Sequence, residues 1–194
     1  MKIAIIEYGS GNIFSVSSAL KRLGADVIVT NETKIIESAD AVIFPGVGHA
    51  KFAMEELKNK GLDRFIPTLK QPVLGICLGM QLMCDYTEEG DVACLGIFDG
   101  VKVKKFVDSP KIPHMGWNKI FNNKDFFEGC DSEVYFVHSY YAEKSKYTVS
   151  EVNYGSDFSA ALQKDNFFAC QFHPEKSGKS GEQLLNNFIK KIKK

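Results

Sequence analysis

Short apolar segments alternate with segments of helical periodicity through the first half of the chain. Four continuous apolar runs have the composition of strands buried on both faces, at residues 3–6, 27–29, 41–44 and 72–76. Apolar residues at helical spacing predict three helices, at residues 13–23, 50–60 and 78–84. Because strands and helices alternate, this half predicts βαβ units, a parallel sheet and helices on both of its faces.

The second half of the chain predicts strands with few helices between them. The strand candidates are residues 101–106, 133–142, 149–154, 159–162 and 167–172, and a final helix is predicted at residues 180–192. This pattern suggests an antiparallel extension, or a sheet that turns from parallel to mixed. With no repeat, low-complexity tract or linker, we expect one α/β domain over residues 1–194, built on an open mixed, mostly parallel sheet.

The composition fits a folded domain without a strong electrostatic partner. The 194 residues are 44% hydrophobic, and 24 Lys and Arg balance 24 Asp and Glu. A net charge of zero argues against nucleic acid or an anionic membrane as partner. The five cysteines form no CxxC pair and no zinc spacing, so we expect reduced thiols, no metal and a cytoplasmic location. Neither a signal-peptide layout nor an apolar run near the ~18 residues of a membrane span is present.

The segment Gly75-Ile76-Cys77-Leu78-Gly79 lies between a buried strand and a helix pattern. This is the context of a nucleophile elbow, in which small residues on either side of the nucleophile allow a tight turn. The helix N-terminus and exposed backbone N–H groups would favour the thiolate of Cys77, the form that attacks carbonyl carbon. On these five residues alone, a buried cysteine that fills core space remains an alternative.

A candidate base lies in the segment Gln171-Phe172-His173-Pro174-Glu175. A cysteine nucleophile needs a base within hydrogen-bond reach, and the base needs a third group to fix its tautomer. A bend at Pro174 would allow a short contact between His173 and Glu175. Taken singly, these residues could be a locally bonded histidine and a surface charge. Together with the elbow they predict a catalytic site, because ligand sites in open α/β sheets lie at the carboxyl ends of strands.

The turn Pro45-Gly46-Val47-Gly48 also follows a predicted strand. Its glycines can present backbone N–H groups to a developing oxyanion. Without the other two motifs, an ordinary βα turn would be the preferred interpretation.

These motifs resemble the class I, or triad, glutamine amidotransferase family. The run Gly-Ile-Cys-Leu-Gly-Met-Gln from Gly75 and the His-Pro-Glu from His173 carry the resemblance, which covers essentially the whole chain. Three segments are similar to the branch of this family whose glutaminase subunits work in histidine biosynthesis: residues 8–12 (YGSGN), 113–118 (PHMGWN) and 173–177 (HPEKS). The resemblance implies a flavodoxin-like α/β fold and no cofactor.

The resemblance also implies the chemistry, residue by residue. Cys77 would attack the side-chain amide of glutamine, and His173 would take the thiol proton and pass a proton to the departing ammonia. Glu175 would orient His173. A γ-glutamyl thioester would form, and water would then release glutamate. The oxyanion would be held by backbone N–H groups at Val47, Gly48 and Leu78.

The glutamine-binding residues implied by the resemblance are Gly46, Gln81, Glu89, Ser139 and Tyr140. A carboxylate at Glu89 is physically reasonable because the substrate ammonium needs a charge partner. The alternative is that Glu88 and Glu89 form a solvated turn.

The family resemblance further implies that ammonia passes to a separate cyclase subunit, a (β/α)8 barrel, within a heterodimer. This chain is too short to form that barrel as well, since the barrel needs ~250 residues. The interface candidates are Asn12, Trp117, Tyr135 and Lys176, although the two aromatic residues could instead belong to the core. Low glutaminase activity before the partner binds is expected, because the flexible Gly46-Val47-Gly48 peptide must turn into place.

Three alternatives remain open on the sequence. The chain could be a glutaminase subunit for anthranilate, aminodeoxychorismate or pyridoxal phosphate synthesis, against which residues 113–118 and Lys176-Ser177 count. It could be a hydrolase or peptidase with a cysteine elbow, although such an enzyme would usually lack the His-Pro-Glu segment. It could also be a non-catalytic domain that keeps the fold, against which the intact Cys77, His173 and Glu175 argue.

Overall fold

The computed structural model describes residues 1–107, 110–128 and 133–192. Its helices are α1 (Ile13–Arg22), α2 (Thr33–Glu37), α3 (Ala50–Asn59), α4 (Leu62–Phe65), α5 (Leu78–Met83) and α6 (Gly178–Ile192). Its strands are β1 (Lys2–Ile6), β2 (Asp26–Thr30), β3 (Ala41–Gly46), β4 (Val73–Cys77), β5 (Cys84–Thr87), β6 (Val92–Ala93), β7 (Phe98–Lys105), β8 (His114–Phe121), β9 (Glu133–His138), β10 (Tyr140–Ala142), β11 (Thr148–Asn153), β12 (Asp157–Lys164) and β13 (Phe167–Cys170). Within these ranges, none of the helices has both the length and the hydrophobicity needed to cross a bilayer.

The larger sheet has nine strands within the described ranges, in the order β2-β1-β3-β4-β13-β12-β11-β8-β9. Neighbouring strands are parallel from β2 to β13. They are antiparallel from β13 to β9. The predicted α/β fold with an open mixed sheet is therefore confirmed. Strand β13, from near the end of the chain, completes the parallel part beside β4.

Helices cover both faces of this sheet, as predicted. Ile3 and Ile5 of β1 pack into one core with α1 and α6, whereas Ala4 and Ile6 pack into a second core with α2, α3 and α4. Successive side chains of a strand point to opposite faces, so a strand covered on both faces must be apolar throughout. Helix α1 meets the sheet through Val16, Ala19 and Leu20, which share one helical face.

A four-stranded second sheet lies within the described ranges, in the order β10-β7-β5-β6, and the sequence did not predict it. The predicted strand at residues 133–142 is interrupted at Ser139, so that β9 belongs to the larger sheet and β10 to the smaller one. Strand β8 was also missed. Its outward positions carry the large apolar residues Met115 and Trp117, which are exposed. Apolar and polar residues therefore do not alternate between a buried and an exposed face, which is the pattern that predicts a strand.

The sheet order brings the three sequence motifs to one edge. Strand β4 lies between β3 and β13. Gly46 at the end of β3 is the register partner of Cys77, and Cys170 at the end of β13 is the partner of Ile76. All three strands run parallel, so their carboxyl ends meet. The elbow, the Gly46–Gly48 turn and the segment that carries His173 are therefore neighbours.

Candidate active site

Cys77 stands at the sharp turn between β4 and α5. Its φ of 54° lies in the left-handed region that non-glycine residues rarely adopt. The turn brings α5 close to β3, because a Cβ on Gly79 would lie 1.9 Å from the Phe44 carbonyl oxygen. No residue larger than glycine fits there. The backbone strain at Cys77 and the glycine beside it are the features of a nucleophile elbow.

The sulfur of Cys77 is mostly enclosed, and the side chain of Gln171 contacts it. The residue is 7% exposed, and Gln171 Nε2 donates to Cys77 Sγ at 3.8 Å. Gln81 Nε2 donates both to Gln171 Oε1 and to the Tyr140 carbonyl, each at 2.9 Å. Because Gln171 Oε1 is an acceptor, its Nε2 end must be the one that faces the sulfur. Gln171 was not singled out from the sequence, although it lies in the same segment as His173.

His173 and Glu175 form the short contact that the bend at Pro174 allows. A 3-10 turn at Pro174–Lys176 folds the carboxylate back, and His173 Nδ1 donates to Glu175 Oε1 at 2.8 Å. Both side chains are almost fully buried. A carboxylate only accepts, so the neutral imidazole carries its proton on Nδ1 and a lone pair on Nε2. Within the described part of the chain, Nε2 has no hydrogen bond of regular geometry.

The protonation of His173 is coupled to its two neighbours. Burial lowers the pKa of His173, but the interactions with the Cys77 thiolate and the Glu175 carboxylate together outweigh burial and raise it to about 10. A histidine with a raised pKa holds a proton taken from the thiol. The environment thus favours proton transfer from sulfur to imidazole.

Hydrogen bonds of Ser177 connect His173 to strand β9. The Ser177 hydroxyl donates to the His173 carbonyl at 2.6 Å and accepts from the Tyr135 N–H at 2.9 Å. The His173 N–H donates in turn to the Tyr135 carbonyl at 2.9 Å. Backbone movement at Tyr135 would therefore reach the histidine directly.

The turn after β3 is held by hydrogen bonds from the YGSGN segment. Tyr8 Oη donates to the Pro45 carbonyl at 2.9 Å. The Val47 N–H donates to Ser10 Oγ at 3.0 Å, and the Ser10 hydroxyl donates to the Val47 carbonyl. The Val47 N–H is therefore occupied and does not point to Cys77 as an oxyanion donor in this conformation. Gly48, with a φ of 97°, is a position at which this peptide can turn.

A cavity of about 230 Å³ opens between these elements. Its volume is below the roughly 300–1,000 Å³ of sites for drug-sized ligands and suits a small metabolite. It brings together most of the residues selected from the sequence, and its lining is Val47, Gly48, Cys77, Leu78, Gln81, Glu89, Val137, His138, Ser139, Tyr140, His173 and Lys176. Gly46 and Glu175 do not line the cavity, but Gly46 is the register partner of Cys77 and Glu175 is bonded to His173. Val137 and His138 are additions that the sequence did not indicate.

Glu89 faces the cavity and anchors the start of α3. Its Oε2 accepts from the Ala50 N–H at 2.8 Å, which leaves Oε1 for another partner. The neighbouring Glu88 instead accepts from the Lys105 N–H at 2.7 Å and does not line the cavity. The two carboxylates therefore differ, and the solvated-turn interpretation does not describe Glu89.

Three of the four interface candidates form a surface cluster beside His173. The Trp117 and Tyr135 rings are 6.0 Å apart, edge to face, and Lys176 Nζ lies 6.0 Å from the centroid of the Tyr135 ring. Trp117 is 54% exposed, so it is not a core residue. Asn12 contacts the site through a separate hydrogen bond, in which its Nδ2 donates to Glu175 Oε1 at 3.4 Å.

Comparison with known proteins agrees with this geometry. The sequence model of the family Glutamine amidotransferase class-I matches residues 4–192. The chain belongs to the class I glutamine amidotransferases. An imidazole glycerol phosphate synthase subunit HisH of Bacteroides fragilis is 56% identical, over 97% of this chain and 99% of that protein. A HisH subunit of Pasteurella multocida is 48% identical over 98% of each.

A solved glutamine amidotransferase shares the fold of this class I member. It has a TM-score of 0.78 and 16% sequence identity, and it covers 98% of this chain and 99% of its own. Within the described ranges, no group of three or more His, Cys, Asp and Glu side chains is placed to hold a metal ion.

Proposed function

We propose that this chain is the glutaminase subunit of an imidazole glycerol phosphate synthase in histidine biosynthesis. It hydrolyses glutamine to glutamate and ammonia and passes the ammonia to a cyclase subunit. That subunit makes imidazole glycerol phosphate and an aminoimidazole carboxamide ribotide. The observation that carries the chemistry is the single cavity lined by Cys77 and His173, with Glu175 bonded to His173 Nδ1. The high identity to HisH subunits supports the pathway.

The reaction uses the two ring nitrogens of His173, Nδ1 bonded to Glu175 and Nε2 available to accept the Cys77 proton. Cys77 Sγ attacks the amide carbon of glutamine as its proton moves to His173 Nε2. The same proton passes to the departing nitrogen, the C–N bond breaks, and ammonia leaves a γ-glutamyl thioester. His173 then deprotonates a water molecule that attacks the thioester, and glutamate and the free thiol are released. Glu175 stabilises the imidazolium that forms in each step.

Glutamine is held between two walls of the cavity. Glu89 Oε1 pairs with the α-ammonium group, and the backbone of Ser139 and Tyr140 binds the other polar groups. Gln81 supports this wall through its bond to the Tyr140 carbonyl, and Gly46 lies beneath the elbow.

We expect Glu89→Gln to raise the KM for glutamine by about 10–100-fold with a much smaller change in kcat, because a hydrogen bond to a charged group is lost in both ground and transition states. The Gln oxygen can still accept from the Ala50 N–H, so α3 keeps its anchor. Steady-state kinetics of the complex measure the effect. Glu88→Gln is the matched control and should leave the KM within about twofold; an equal rise in both variants would remove Glu89 from the ammonium site.

The cyclase partner is a (β/α)8 barrel that docks on the face formed by Asn12, Trp117, Tyr135 and Lys176. Exposed aromatic residues are typical anchors of interfaces. The position of this face supports the proposal, since Asn12 contacts Glu175 and Lys176 lines the cavity. Ser177 connects Tyr135 to the His173 backbone, so docking and catalysis involve the same segment of the chain.

The one-domain organisation of residues 1–194 and the cytoplasmic location stay predictions.

We expect the isolated chain to hydrolyse glutamine slowly, and the barrel subunit with its ribonucleotide to accelerate it by about 10²–10³-fold. The reason is that Val47 N–H is held by Ser10, and one missing oxyanion donor costs about that factor in kcat. Glutamate release with and without the partner tests this, with the ribonucleotide alone as control. Equal high rates in all samples would contradict the proposal.

A further inference from the structure

We propose that His114 is a positioning residue for glutamine binding, acting through His138 on the peptide of Tyr140. The inference rests on the proposed function, in which glutamine lies against Ser139 and Tyr140. His114 is 2% exposed and His138 7%. His114 and His138 face each other across the β8–β9 pair. His114 makes no contact with the cavity itself.

A continuous row of hydrogen bonds links β8 to the cavity wall. His138 Nδ1 bonds the Tyr140 carbonyl at 2.8 Å, and His138 Nε2 bonds His114 Nδ1 at 3.0 Å. The row ends at Asn118, whose Nδ2 lies 3.3 Å from His114 Nε2 and donates to the Asn153 carbonyl at 2.9 Å.

The carbonyls of Tyr140 and Asn153, at the two ends of this row, determine which nitrogen carries each proton. The Tyr140 carbonyl only accepts, so His138 must be protonated at Nδ1. In the neutral ring Nε2 is then an acceptor, and His114 must donate to it from Nδ1. His114 Nε2 accepts in turn from Asn118 Nδ2. Donation therefore runs in one direction, from Asn118 to the Tyr140 carbonyl.

Both imidazoles are neutral near pH 7. Burial lowers the pKa of His138 to about 3, and burial also lowers the pKa of His114 to about 4. Aromatic rings fix the plane of His114, because Tyr154 stacks on it at 3.9 Å and Phe136 at 4.7 Å between ring centroids. With its plane fixed, His114 holds its N–H on His138 Nε2.

Loss of the His114 N–H would leave His138 Nε2 buried without a hydrogen-bond donor. The His138 ring could then turn away from its present orientation, and its Nδ1–H would no longer be held against the Tyr140 carbonyl. The Tyr140 peptide would lose one of the two side chains that hold its carbonyl. The bond from Gln81 Nε2 to the same carbonyl would remain, so the sulfur and its Gln171 contact would be largely preserved. The loss should therefore fall on binding rather than on the chemical step.

His114→Phe tests this directly, because phenylalanine keeps the ring stacking and removes the hydrogen bonds. In the complex with its cyclase partner, we expect the KM for glutamine to rise about fivefold to tenfold and kcat to change by less than about twofold. His114→Gln, which can donate from its side-chain amide, should restore the KM to within about threefold of the wild type. An unchanged KM in His114→Phe, even with a lower melting temperature, would show a purely structural role and overturn the inference.

A measurement on the unmodified protein makes the test independent of how the variants fold. Nitrogen-15 spectra of labelled histidines should show both His114 and His138 neutral and protonated at Nδ1 at pH 7. Protonation of His138 at Nε2 would overturn the inference. If instead the wild-type complex failed to hydrolyse glutamine while the spectra were as expected, the proposed function would fail and not the assignment of the protons.

Discussion

We expect Cys77→Ala to abolish glutamine hydrolysis, while the complex still forms its products from added ammonium salt. In the proposed mechanism the thiol that the elbow presents to the cavity is the nucleophile, and Ala offers no atom that can form the thioester. The loss should be at least about 10⁴-fold in kcat, of the order seen when a covalent nucleophile is removed. The fold should persist, since Ala is smaller and the strained turn depends on Gly79 rather than on the sulfur.

The measurement compares glutamine-dependent and ammonium-dependent product formation in the same preparation. Retained glutamine hydrolysis would remove Cys77 as the nucleophile. Cys94→Ala, a change at a half-buried thiol outside the cavity, is the matched control and should leave both activities near wild type. Loss of the ammonium-dependent activity in Cys77→Ala would instead point to a damaged complex.

We expect Glu175→Gln to lower kcat for glutamine by about 10³–10⁴-fold, the size of effect seen when the acidic member of a triad becomes an amide. The carboxylate holds the proton of His173 on Nδ1 across a 2.8 Å contact, and it supports the imidazolium. An amide can present its NH₂ group to Nδ1 and favour the wrong tautomer. Its neutral charge also removes one of the two interactions that raise the pKa of His173.

Kinetics across a range of pH in the complex measure this change. Because the raised pKa of His173 depends partly on Glu175, the pH dependence assigned to this histidine should shift to lower pH in the variant. Glu182→Gln, at an exposed carboxylate of α6, is the control and should change neither kcat nor the profile. A Glu175→Gln enzyme with near-normal kcat would show that Glu175 does not orient the base.

Local pattern was sufficient for much of this fold. Each of five elements shows its buried positions in its own sequence pattern. These are the apolar runs of β1, β3 and β4 and the periodic apolar faces of α1 and α3. Strand β8 escaped prediction because Met115 and Trp117 are apolar but exposed, which hides the alternation. The break at Ser139 escaped because both flanking segments look like strands and only their partners differ.

The same difference between local pattern and long-range contacts holds for the residues of the site. Cys77 was recognisable because its glycine-flanked segment has the geometric signature of an elbow, and His173 was recognisable only in combination with that segment. Gln171, Ser10 and His138 carried no such signature, since their roles arise from single contacts with residues far along the chain.

The sequence by itself determined the alternating elements and the glycine-flanked turn at Cys77, and it allowed a short contact between His173 and Glu175, because these depend on local spacing and steric limits. Only the tertiary structure decided that β13 lies beside β4, which brings a histidine from near the end of the chain to the sulfur. It also decided that Ser10 occupies the Val47 N–H and that two buried histidines support the Tyr140 peptide. The physical reason is that strand order and buried hydrogen bonds depend on which distant segments meet, and neither composition nor periodicity encodes that choice.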